Sequence, residues 1–184
     1  MLEPGTTVRS PRGTVVEVLE DRPERFAIRR TLPPGTGRTA PHRHFDGTER
    51  FTVVEGRAKG SVGRRSVELG PGDVLEVPLG AAHVHPHTDK HSTAVVEHVI
   101  EPAPEFVRVY FASWLPWLAV GRVDGQEEPK LLGIMSMLHE AGAQTWVAGV
   151  PVPAQRALGR ALAPIAARTG LRARTPPPRV AQPS

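Results

Sequence analysis

From about residue 14 to residue 100 the chain is cut into segments of roughly five residues, each bounded by a residue suited to turning. Alternating or β-branched side chains mark residues 14–18, 26–32, 40–44, 50–55, 58–61, 65–69, 73–77, 83–87 and 92–100. Between them stand Pro33-Pro34-Gly35, Asp46-Gly47, Gly56, Gly63, Gly70-Pro71-Gly72 and Pro78-Leu79-Gly80. Proline presets φ at such places and glycine allows φ to turn positive. Short strands at this density predict an antiparallel sandwich or barrel. No helical period competes with them, and 39% hydrophobic residues supply one core for the 184-residue chain.

The pattern changes after Glu101. Phe106, Tyr110, Trp114 and Leu118 recur every fourth residue and predict a helix with one apolar stripe, opened by Pro104. A second apolar run covers 129–141. A third, over 153–169, places Leu158, Leu162 and Ile165 on one face and stops at Gly170. Pro116 and Pro164 are expected to kink or interrupt the first and third helices. The expected organisation is a β-barrel with an N-terminal arm over 1–112, helices over 113–174 that begin near 104, and a disordered tail over 175–184.

The chain has no cysteine, so disulfides and thiolate metal sites are excluded and any metal must be held by His, Asp or Glu. The first residues carry no secretory pattern and no apolar stretch reaches eighteen residues. A reducing cytoplasm is therefore the expected location. Charge is uneven: Arg156, Arg160, Arg168, Arg172, Arg174 and Arg179 follow Ala141 without an acid among them. No aromatic residues interleave with these arginines as base-stacking platforms, so nucleic acid is not an expected partner. Packing on the barrel or across a homodimer is the preferred role of the helices. Peripheral membrane contact is the second reading.

Seven of the eight histidines fall between His42 and His98. His42 and His44 are two apart on an expected strand and so share a face. Glu49 follows beyond the Asp46-Gly47 turn, and His83 lies on a later strand. Converging in a barrel, three imidazoles and a carboxylate suit one divalent first-row metal, with positions left for water or substrate.

The residues that carry this set resemble the two motifs of the cupin superfamily. PHRHFDGTERFTVVEG is similar to the first, G-x5-H-x-H-x(3,4)-E-x6-G, with His42, His44, Glu49 and Gly56 in register and Thr36 at its opening glycine. GDVLEVPLGAAHVHPH is similar to the second, G-x5-P-x-G-x2-H-x3-N, with Gly72, Pro78, Gly80 and His83 in register and His87 at the final asparagine. The resemblance covers roughly 14–111 and implies a mainly β, single-domain cupin, a jelly-roll barrel followed by C-terminal helices. It also implies one metal (iron, manganese, nickel, cobalt, copper or zinc) on His42, His44, Glu49 and His83.

Alternation puts Phe51 and Val53 on the face of Glu49, as expected pocket wall, and puts His85 and His87 beside His83, with Pro86 between them able to break the strand and redirect His87. There these two are candidates for moving a proton, or for plain hydrogen bonding. Glu49 is a ligand first and a base second. His91, His98 and His139 read as surface or packing histidines. A small-molecule substrate and an oxygenase or dioxygenase are the leading expectation. A metal-dependent lyase or isomerase comes next, and a non-catalytic small-molecule-binding module is the contrasting reading.

Overall fold

A computed structural model describes residues 2–141 and 145–174; the tail expected over 175–184 lies outside the described residues. The strands are β1 (Thr7–Arg9), β2 (Val15–Asp21), β3 (Phe26–Leu32), β4 (His42–His44), β5 (Thr48–Gly56), β6 (Ala58–Val62), β7 (Arg65–Leu69), β8 (Val74–Val77), β9 (His83–His87) and β10 (Ala94–Glu101). Helices α1 (Glu105–Ala119) and α2 (Leu131–Glu140) follow, then strand β11 (Thr145–Val147) and helix α3 (Val152–Arg168). All nine expected strands are present. β1 and β11 leave no signal in the sequence, because three residues are too few to show an alternation.

The strands form two antiparallel sheets, ordered β1-β2-β3-β10-β5-β8 and β11-β4-β9-β6-β7. The fold is a jelly roll, mainly β, with C-terminal helices. Leu32, Phe51, Val53, Leu75, Val77 and Val96 fill the space between the sheets. A second core joins Val16, Phe26, Ile28 and Ile100 to Val107, Phe111, Trp114 and Leu118 of α1. The helices therefore share their core with the barrel, and the boundary expected after residue 112 falls inside α1.

Three expectations about the helices need correction. Helix α1 is buried on most sides rather than along one stripe, because β-sheet and α2 cover it together. The helical assignment continues through Pro116 and Pro164, so neither proline interrupts its helix. On α3 only part of the expected apolar face is covered: Leu162 packs against Met135 and Leu138, while Leu158 is 44% and Ile165 48% exposed. The face turned inward is Gln155, Gly159 and Ala166. Small size decides this, since a Cβ on Gly159 would stand 3.2 Å from the Met135 carbonyl oxygen of α2. The stop at Gly170 is as expected. With φ of 74° it lets the Leu171 and Gly170 amides donate to the carbonyls of Ala166 and Ala167. Among the described residues, no helix is long and apolar enough to cross a membrane.

Gly56, which closes the first motif, shows why the residue is needed. Its φ is 76°, and a Cβ there would lie 2.0 Å from the Thr93 carbonyl oxygen. Gly56→Ala should therefore cost about 3 kcal/mol, or roughly 10 °C in Tm, measurable by thermal denaturation. At the motif's opening, Thr36 sits between Gly35 and Gly37, both at positive φ, so the turn survives the missing glycine.

Candidate metal centre

Three strands bring the candidate ligands together. His42 and His44 flank Arg43 on β4, and His42 is the cross-strand partner of His83 on β9. Glu49 enters from β5, where its neighbours across the sheet are Ile100 and Val77. One ligand atom from each of His42, His44, Glu49 and His83 can be chosen so that all lie within 4.8 Å of one another. The Nδ1–H of His42 donates to the Ala40 carbonyl at 2.8 Å, and that of His83 to the Ala81 carbonyl at 3.1 Å. Since a carbonyl can only accept, each bond fixes the tautomer and leaves the Nε2 lone pair for the centre.

Electrostatics keep the donors in ligand form. Burial, with help from His83 and against Glu49, pushes the His42 imidazole down to about 3. Burial also lowers His44, again opposed by Glu49. For Glu49 burial acts upward, yet His98, His44 and His85 outweigh it and hold the carboxyl well below its usual range. Neutral His42 and His44 beside an ionised Glu49 are the protonation states a divalent cation requires.

The polar atoms also lack partners. Glu49 Oε2 approaches His83 Nε2 at 3.0 Å and His85 Nε2 at 3.4 Å, while Oε1 approaches His98 Nε2 at 3.2 Å and His44 Nε2 at 3.5 Å. Glu49 Oε2, His83 Nε2, both nitrogens of His85 and His98 Nε2 are nevertheless buried with no hydrogen bond. Orphaned buried groups of this kind are costly unless something else satisfies them. Three imidazoles, one carboxylate and no thiolate fit a divalent transition metal.

His98 is the residue that sequence reasoning misses. Expected to be a surface or packing histidine, it is buried, at 2% exposure, and beyond packing it forms a second donor group with Glu49 and His85. The signal lies in the strand itself: Ala94, Val96, His98 and Ile100 alternate inward on β10, beside the strand that carries Glu49. His91 and His139 are exposed, as expected.

Three other expectations are corrected. His87 does not share the side of His83 and His85. His85 and Pro86 together face Gly60 in a bulge, since Val84 pairs with Ser61 and His87 with Lys59. The extra residue reverses the alternation, and His87 ends half-buried near Arg38 and Lys59. Phe51 and Val53 do face inward, but β5 runs from the site into the sealed core. Phe51 stacks beneath His98, with ring centroids 4.1 Å apart, and Val53 is fully buried. Neither lines the cavity. That cavity, about 300 Å³, is bounded by His42, His44, Glu49, His85 and His98 on one side and by residues of α1, α2 and β11 on the other.

Two sheets closed around a buried His/Glu donor cluster define a mainly β, jelly-roll protein with a candidate metal centre. Residues 28–100 match the family described as the cupin domain, so this part of the chain is similar to that family. A search of curated proteins returns no match. Among solved structures, TT1209 from Thermus thermophilus is similar at 23% identity and a TM-score of 0.46, over 51% of this chain and 88% of that one. KdgF from Halomonas sp. aligns at 18% identity and 0.47, over 54% and 88%. The polyketide cyclase RemF from Streptomyces resistomycificus aligns at 24% identity and 0.43, over 56% and 71%.

Proposed function

We propose that the protein is a metal-dependent cupin enzyme acting on a small organic substrate, with oxygenase or dioxygenase chemistry as the leading reading. The observation that carries it is the buried donor set of His42, His44, Glu49 and His83, opening onto a cavity whose remaining wall is largely apolar. A redox-active ion there supplies one-electron chemistry with dioxygen, and any divalent first-row ion supplies Lewis acidity. The chain's own part is to hold the four donors, exclude water with α1 and α2, and orient a bound molecule against His85 and His98.

A lyase or isomerase is the second reading, and one observation favours it. His85 and His98 are buried imidazoles without hydrogen-bond partners beside Glu49, and either could carry a proton between two substrate atoms without any redox change.

Elemental analysis of protein purified without added metal, followed by oxygen-uptake assays on diketones and flavonols, separates the readings. Iron, manganese, nickel, cobalt or copper with oxygen consumption supports the oxygenase. Zinc without oxygen consumption points to the lyase or isomerase, or to a non-catalytic binding module, and absence of any stoichiometric metal overturns both metal-dependent enzyme readings.

A further inference from the structure

Once a single ion is assigned to His42, His44, Glu49 and His83, which is the reading just proposed, two buried imidazoles are left over. His85 is 8% and His98 2% exposed, and neither Nε2 has a hydrogen bond. A second cation is a poor answer. It would share Glu49, which is already a ligand, and no other carboxylate belongs to either donor group among the described residues. Glu128, on the far wall, is neutralised by Arg30 at 2.5 Å. Two divalent charges would then face one free carboxylate in a buried place.

Both histidines border the cavity, whereas the opposite wall comes from the C-terminal helices: Phe106 and Val107 of α1, and Leu131, Ile134 and Leu138 of α2. The chamber thus has a polar floor from the barrel and a largely apolar roof from the extension, on which Tyr110, Asp124 and Glu128 already bond to one another or to backbone amides. Its volume sits at the small end of the range of ligand cavities, roughly 300–1,000 Å³.

We propose that His85 and His98 are positioning residues that hydrogen-bond an oxygen of the bound molecule, and that α1 and α2 select for it an apolar, ring-sized body. A sugar-like molecule or a small polar acid would meet few unpaired polar groups on this roof. Barrel residues choose the ion; the helices choose the compound.

The test uses the metal-loaded full chain with 1-naphthol as probe, against naphthalene (no oxygen) and glycolate (no ring). Affinities come from fluorescence or calorimetry, with metal content and Tm recorded on the same samples. Expected results are that 1-naphthol binds and glycolate does not, and that His98→Leu weakens 1-naphthol roughly tenfold while leaving naphthalene unchanged. His98→Gln, which keeps a hydrogen-bonding group, restores most of that affinity. Leu131→Trp is the second variant; Leu131 is 61% exposed at the cavity edge, so a larger side chain is tolerated by the fold. It should weaken both ring probes at least tenfold.

Glycolate binding as tightly as 1-naphthol, an unaltered 1-naphthol affinity in both variants, or loss of the metal with His98→Leu would each overturn the proposal. A wild-type protein without metal refutes the reading of the ion instead. Persistence of His98-dependent naphthol binding in that sample supports the chamber assignment independently.

Discussion

Exchanging Glu49 for glutamine is expected to weaken metal binding by about two to three orders of magnitude, and His83→Ala by a similar amount. The figure follows from dividing roughly 10–16 kcal/mol of site binding energy among four donors, each worth about 2.5–4 kcal/mol. Glu49→Gln preserves shape while removing the one anionic donor in the set, so the imidazoles would face a dication without compensating charge. Two measurements check it: metal content after dialysis, and the rise in Tm on adding metal. At a hundredfold excess over Kd the wild type should gain about 2.7 kcal/mol, or roughly 5–10 °C for a domain of this size. The variants should gain almost nothing. Full metal retention in either variant would place the ion on other residues.

The second large effect lies in the wall between barrel and helices. Arg30 of β3 and Glu128 of the α1–α2 connection form an ion pair whose side chains are 6% and 5% exposed. Tyr110 donates its hydroxyl to the other carboxylate oxygen at 2.9 Å, and the Arg30 guanidinium lies 4.8 Å from the centre of the Trp114 ring. Burial lifts the Tyr110 hydroxyl well above its ordinary value, with Glu128 adding to it, so tyrosine is the fixed donor here. Glu128→Ala removes the acceptor and leaves a buried cation unpaired. The expected cost is about 3–5 kcal/mol, or roughly 10 °C in Tm, by thermal or chemical denaturation. Replacing Arg30 with methionine in the same background should recover part of the loss, because the orphaned charge leaves with it. A loss under about 1 kcal/mol for Glu128→Ala would mean that water reaches Arg30.

Most of the barrel is legible in the chain because β-structure between two sheets imposes a period of two, and turn residues mark its ends. The same period locates His42, His44 and Glu49. It also locates His98, once the inward positions Ala94, Val96 and Ile100 are followed through to the histidine between them. His87 escapes the rule for a different reason. A bulge is one extra residue in a ladder, visible only once Lys59 and Ser61 are paired with β9. The cavity wall escapes it because alternation gives a side chain's face but not its depth. Phe51 and Glu49 share a face, yet one supports the site from below and the other borders the open space. Helix α3 shows the limit of amphipathic patterns, since close helix contact through Gly159 outweighs the attraction of Leu158 and Ile165 for the interior.

Strand β11 closes the sheet edge next to β4, pairing Thr145 with His44 and Val147 with His42. During synthesis the ribosome therefore releases His42 and His44 long before the strand that will flank them. For that interval the histidine strand is a bare edge, open to pairing with another nascent chain or to premature capture of an ion in the wrong geometry. A fragment ending at the barrel would therefore leave the His42–His44 strand with one edge unpaired.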